Sequence, residues 1–137
     1  MLVVPASVDT LKAERIVIGW KDSREARRAV QDSLPLLHEA KSVTIVEVCD
    51  DGAESAGRRR VDDVAQYLAR HRITVGNVTT AAAAGPVADQ LVKLENADGA
   101  DLIVAGGYGH SRLGEWIFGG VTRDLLRSSP MCCFFAN

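Results

Sequence analysis

Apolar residues fall along this chain in short unbroken runs, separated by stretches in which they recur every three or four positions. Unbroken runs suit strands buried on both faces, whereas the longer period suits helices with one apolar face. Ile16-Val17-Ile18-Gly19-Trp20 predicts a strand over residues 15–20. Asp22 or Ser23 then caps a helix reaching about Ala40, with Glu25 completing a capping box and Ala26, Ala29, Val30, Leu34 and Leu37 on its inner face. Pro35 must kink that helix or be absorbed near a turn. A second strand is expected over 43–49, a loop without core residues over 50–57, and a second helix over 61–71 with Val61, Val64, Ala65 and Leu68 inward. Residues 78–84 read as a third strand, weak because alanine is a poor strand former. Gly85-Pro86 opens a third helix that turns Val87, Leu91 and Leu94 inward and ends by Gly99. Leu102-Ile103-Val104-Ala105 is the fourth strand, residues 121–127 a fourth helix, and 131–135, introduced by Pro130, the fifth strand.

Strands that alternate with helices and carry continuous apolar runs imply a parallel sheet with helices on both faces, the doubly wound α/β class. At 137 residues the chain has the size of one domain, large enough to bury a core without staples. Residues 14–137 form that domain, and residues 1–13 form an extension in which apolar Met1 to Pro5 precedes a polar linker. Fraying is the ordinary state of a terminus. Leu2, Val3 and Val4 nevertheless favour extended backbone, so the extension is expected to add to a sheet edge, of this chain or of a partner.

Charge and cysteine usage narrow the function mainly by exclusion. A net charge of -2 gives no basic surface for nucleic acid. Arg58-Arg59-Arg60, beside Asp62-Asp63, reads as a solvated helix start. No apolar run approaches the roughly 20 residues that span a bilayer, and the N-terminus lacks the pattern of a signal peptide, which points to the cytoplasm. Cys49, Cys132 and Cys133 lack zinc spacing and read as reduced, packed thiols, so no metal site is expected. His38, His71 and His110 lie on separate elements, and no spacing couples them to a nucleophile. With no Walker A turn and no G-x-G-x-x-G after the first strand, no catalytic residue is assigned.

One segment carries chemistry of its own. Gly106 and Gly109 frame a turn directly after the fourth strand, and Gly119-Gly120 stand at the start of the fourth helix. Residues without a Cβ let main-chain N–H groups face an anion closely, and a helix N-terminus adds unpaired donors and partial positive charge. The plainer reading is that glycines are common at strand ends. In open parallel sheets, however, ligands bind beyond the carboxyl ends of the strands, where strand order reverses. His110, Ser111 and Arg112 follow Gly109 on that side, and arginine offers paired donors to phosphate.

The order of elements, the fourth strand ending in Gly106-Gly107-Tyr108-Gly109, and Phe118-Gly119-Gly120-Val121-Thr122 leading into a helix together resemble the universal stress protein family. The resemblance runs from about Glu14 to the C-terminus. It implies a five-stranded parallel sheet in the order 3-2-1-4-5 and a Rossmann-like site for ATP, with magnesium. The family pattern is G-x-x-G, nine residues, then G and Ser or Thr, and Gly106, Gly109 and Gly119 match its spacing. Carried over residue by residue, nucleotide contacts fall on Gly19, Trp20, Lys21, Val48, Gly106, Gly109, His110, Ser111, Arg112, Gly119, Gly120, Val121 and Thr122. Val48 takes the position lining the adenine pocket, and Trp20 either stacks on the base or packs against the first helix.

Two residues depart from the pattern. Gly120 stands where the family places a hydroxyl on phosphate, a loss worth about 1.5 to 3 kcal/mol, so the nucleotide is expected to bind weakly. Lys21 stands where the family has an Asp near the ribose, with Asp22 one position later. The expected function is that of a stress-type regulatory domain binding an adenine nucleotide weakly. A scaffold for dimerisation or partner binding without ligand is the alternative, and slow ATP hydrolysis is not indicated. The apolar fifth strand, read as an edge, is expected to pair antiparallel with its twin in a homodimer. Met1 to Pro5 looks like the closing strand of an upstream domain, as in the second half of a tandem arrangement.

Overall fold

Ile16, Val17 and Ile18 are each at most 2% exposed, so neighbouring residues pointing to opposite faces are equally buried. That pattern requires helices on both sides of the sheet. The computed structural model describes residues 1–49, 52–82, 87–107, 122, 124–125, 127 and 129–136. Its elements are β1 (Leu2–Val3), β2 (Arg15–Gly19), α1 (Arg24–Asp32), α2 (Leu34–Glu39), β3 (Ser42–Cys49), α3 (Glu54–Arg70), β4 (Asn77–Ala82), α4 (Val87–Asp98), β5 (Leu102–Gly106) and β6 (Cys132–Ala136). Thr122, Asp124, Leu125 and Arg127 are also helical. No described helix is long and apolar enough to cross a membrane.

The described strands form one sheet in the order β1-β6-β5-β2-β3-β4. Pairings among β2 to β6 are parallel, with Val17 opposite Thr44 on one side and Ile103 on the other. The expectation of five strands, all parallel, in the order 3-2-1-4-5 is therefore corrected in count, direction and at one end. A sixth strand, β1, runs antiparallel beside β6, with Leu2 opposite Phe134 and Val3 opposite Cys133. The C-terminal strand is consequently not the edge that the sequence suggested. Its outer backbone groups are taken up by the chain's own first residues, including Phe135 N–H donating to Met1 O at 2.8 Å.

Alternation along the strands divides the core in two. Ile16, Ile18, Val43, Ile45, Leu102 and Val104 pack with α1, α2 and α3 through Ala29, Val30, Leu37, Val61 and Leu68. Val17, Val46, Ile103, Cys133 and Phe135 face the other way, onto Leu91 of α4 and Leu125. Asp101 fastens the sheet at its opposite end, where its carboxylate accepts from the N–H groups of Glu14 and Arg15 at 3.0 and 3.1 Å.

Three helix expectations are revised. The long helix through Pro35 is two helices that meet at Ser33, and Pro35 occupies the first turn of α2, where its missing N–H is harmless. Ser23 rather than Asp22 caps α1, accepting from Ala26 N–H at 3.1 Å. With Ala26 three positions after the cap, no capping box forms. The second helix begins at Glu54, so Gly57 is buried and Arg58 to Arg60 lie within α3 rather than at a solvated start.

Candidate functional site

Strand β2 pairs with β3 on one side and β5 on the other, and from it the chain builds outward in both directions. The crevice beyond the carboxyl ends of β2 and β5 is thus the point where strand order reverses, the usual ligand position in such sheets. Gly19 ends β2 and Gly106 ends β5, with Gly19 opposite Ala105 in register. Trp20 N–H donates to Val46 O at 2.7 Å, carrying the β2–β3 ladder one residue further. Val48, half-buried near the end of β3, is opposite Ala81 of β4. Lys21 is exposed beside this end of the sheet, and its carbonyl accepts from Ser23 N–H at 2.7 Å.

The two strand-ending glycines face opposite sides. A Cβ on Gly106 would stand 2.8 Å from Ala26 N and 3.1 Å from the Glu25 backbone carbon, so this glycine admits the first turn of α1 against β5. A Cβ on Gly19 would instead meet the Leu91 side chain of α4 at 3.3 Å. Close backbone approach at Gly106 is thus made by the protein itself. A second consequence is that the N-terminal turn of α1 is held at the crevice.

Thr122 is 1% exposed. It lines a cavity of about 210 Å³ with Gly107, Arg28, Asp32, Phe135 and Ala136, so this residue does turn inward beside the end of β5. Trp20 is buried with α1 and α3, on the face that holds Ile16 and Ile18. Gly109, His110, Ser111, Arg112, Gly119, Gly120 and Val121 lie outside the described residues. Of the candidates that are described, Gly19, Trp20, Lys21, Val48 and Gly106 meet at one end of the sheet, and Thr122 joins them from the β6 side.

One polar feature near this end escaped the sequence reading. Glu47 of β3 is 4% exposed, and its carboxylate accepts from Arg60 of α3, at 2.9 Å from Nε and 2.6 Å from Nη2. Those hydrogen bonds raise the guanidinium's pKa above its already high value. Burial, followed by the nearby Glu47 charge, pushes the Cys49 thiol up, which keeps it protonated and unreactive. The available signal was a single acid inside the apolar run of β3.

A model of the universal stress protein family matches residues 12–132. No curated protein matches the sequence. Among solved structures, the chain resembles a universal stress protein from Archaeoglobus fulgidus at 21% identity and a TM-score of 0.69, covering 95% of this chain and 45% of that one. It therefore spans less than half of that relative. A family member from Burkholderia pseudomallei is 21% identical with a TM-score of 0.71, over 89% of this chain and 94% of that one. A universal stress protein solved in complex with cAMP is 22% identical with a TM-score of 0.67, over 90% and 96%. With the matched segment spanning β2 to the start of β6 and a parallel-dominated α/β fold beneath it, the chain belongs to the universal stress protein family.

Proposed function

We propose that the protein is a cytoplasmic regulatory domain that binds an adenine nucleotide weakly beyond the carboxyl ends of β2 and β5, with magnesium where the nucleotide is ATP. The observation that carries this reading is the glycine-ended crevice at the reversal of strand order, with the first turn of α1 against Gly106. A helix N-terminus there offers partial positive charge to a phosphate. The spaced Gly106, Gly109 and Gly119 and the cAMP complex of a structural relative support the same ligand class.

The ligand-free scaffold remains the second reading, favoured by one observation: α1 alone accounts for the glycine at 106. A homodimer formed at the β1–β6 edge of the sheet would need either displacement of β1 or pairing on the outer edge of β1, where Met1, Leu2 and Val4 are exposed. Calorimetry with ATP and magnesium, and separately with cAMP, tests the proposal. Weak saturable binding is expected, tightened roughly ten- to a hundredfold in Gly120→Ser. No heat from either nucleotide, in the parent or in Gly120→Ser, would leave the scaffold reading.

A further inference from the structure

Strand β4 ends the described sheet, where it pairs with β3. Backbone groups along a strand point alternately to its two sides, and the register fixes which way those of β4 turn. Val46 O accepts from Trp20 N–H on the β2 side, so Ile45 and Glu47 turn their groups toward β4. Their register partners, Val78 and Thr80, therefore point away from the sheet. The outer edge of Asn77–Ala82 thus presents the N–H and C=O groups of both residues, in a segment without charge or proline. An edge of that composition is a template for another strand.

Exposed edges are ordinarily blunted by a lysine, a proline or a bulge within the strand. Here the blunting group comes from the neighbouring helix. Arg58 of α3 donates from Nη1 to Val78 O at 3.0 Å, and the Asp62 carboxylate holds its Nε at 3.2 and 3.4 Å. Among the described residues no other group is hydrogen-bonded to Val78 or Thr80 on that side. The side chains of Arg58 and Asp62 are both about half exposed, so the bond to Val78 can open without disturbing the core.

We infer that the outer edge of β4 is a strand-pairing surface for a second copy of this chain, and that Arg58 is the latch closing it in the free chain. Under a twofold axis perpendicular to the sheet, two β4 edges run antiparallel, and Val78 of each copy exchanges both its hydrogen bonds with Thr80 of the other. The two α3 helices then run antiparallel on the same side of the joined sheet. With a basic and an acidic residue one turn apart, that helix is complementary to its own twin, Arg58 of one copy toward Asp62 of the other. Such exposed pairs set orientation and register more than strength. The surface lies at the opposite end of the sheet from β1 and does not depend on the nucleotide reading.

Sedimentation of the full chain from micromolar to millimolar concentration, with amide exchange read at each residue by NMR, tests the inference. Pairing makes Arg58 give up a charge-assisted hydrogen bond, a penalty of about ten- to a hundredfold in association. Arg58→Ala, at an exposed helix position that suits alanine, should tighten self-association by that factor and protect the Val78 and Thr80 amides. Asp62→Asn keeps Arg58 but loosens its hold, and should move association the same way by less. Thr79 is half-buried between those two residues. Adding Thr79→Lys to Arg58→Ala sets like charges opposite each other at the axis and should restore the free chain. Parent-like association in Arg58→Ala would overturn the inference, as would association that leaves both amides unprotected or survives Thr79→Lys. Protection of those amides in a chain that stays monomeric would show the edge covered from within, and would overturn it as well.

Discussion

The two faces of the sheet are covered by helices alike, yet they are built from different chemistry. Against α4 and Leu125 the strands present Val17, Val46, Ile103, Cys133 and Phe135, an apolar surface throughout its described core. Against α1 and α3 lie Glu47 of β3 and Trp20, just past the end of β2, whose polar groups must be satisfied or left at a cost. A face of hydrocarbon side chains tolerates change in proportion to the volume lost. A face with buried polar groups depends on particular partners, and a cavity of about 450 Å³ lies there between α1 and α3.

The sharpest break of that comparison is at the buried ion pair. Arg60→Met leaves the Glu47 carboxylate buried without its partner and should cost about 3 to 5 kcal/mol in urea unfolding. Adding Glu47→Leu should restore most of the loss, since replacing both charges by apolar groups is often neutral. A double variant as unstable as Arg60→Met would show that the arginine acts through something other than this pair.

The glycines that end β2 and β5 supply the next contrast. Gly106→Ala drives a Cβ to 2.8 Å from the α1 backbone and should cost about 1 to 3 kcal/mol. Gly19→Ala meets only the Leu91 side chain at 3.3 Å, which can shift, and should cost less. Unfolding midpoints of the two variants compare them directly. If Gly106→Ala keeps full stability, close packing of α1 is not what demands glycine there.

The smallest effect sits at the far end of the sheet, outside both faces. Lys41 lies 2.9 Å from the Glu14 carboxylate and holds its pKa below the usual range. Its contribution is therefore present above the ordinary carboxylate pKa and lost as pH falls through the lowered value. Glu14 is solvent-screened, so the effect should be visible as a titration shift by NMR on Lys41→Gln and hardly in thermal unfolding. An unchanged Glu14 titration would remove Lys41 as the cause.

Much of the architecture was legible because unbroken apolar runs and amphipathic stretches are local signals. Ile16 to Ile18 and Leu102 to Val104 announced strands buried on both sides, and the alternation with helices announced a parallel-dominated sheet. Pro35 signalled an interruption that the structure resolves as two helices. Helix α3 was read seven residues short because Ser55, Ala56 and Gly57 carry little apolar mass, although Gly57 is buried against Cys49 and Thr80. Its need for a small residue comes from β3 and β4, which no local window contains.

The candidate site divides in the same way. By itself the sequence determined the glycines at the ends of β2 and β5, their place beyond the carboxyl ends of parallel strands, and an apolar N-terminal segment fit for strand addition. Only the tertiary structure decided that α1 rests on Gly106, that β1 closes the edge of β6, that Arg60 reaches Glu47, and that the Trp20 indole is buried without an acceptor among the described residues. Periodicity reports how a segment divides its own faces between core and water. Which side chain meets which is set by the packing of elements far apart in the chain, and a single sequence carries no direct record of those distances.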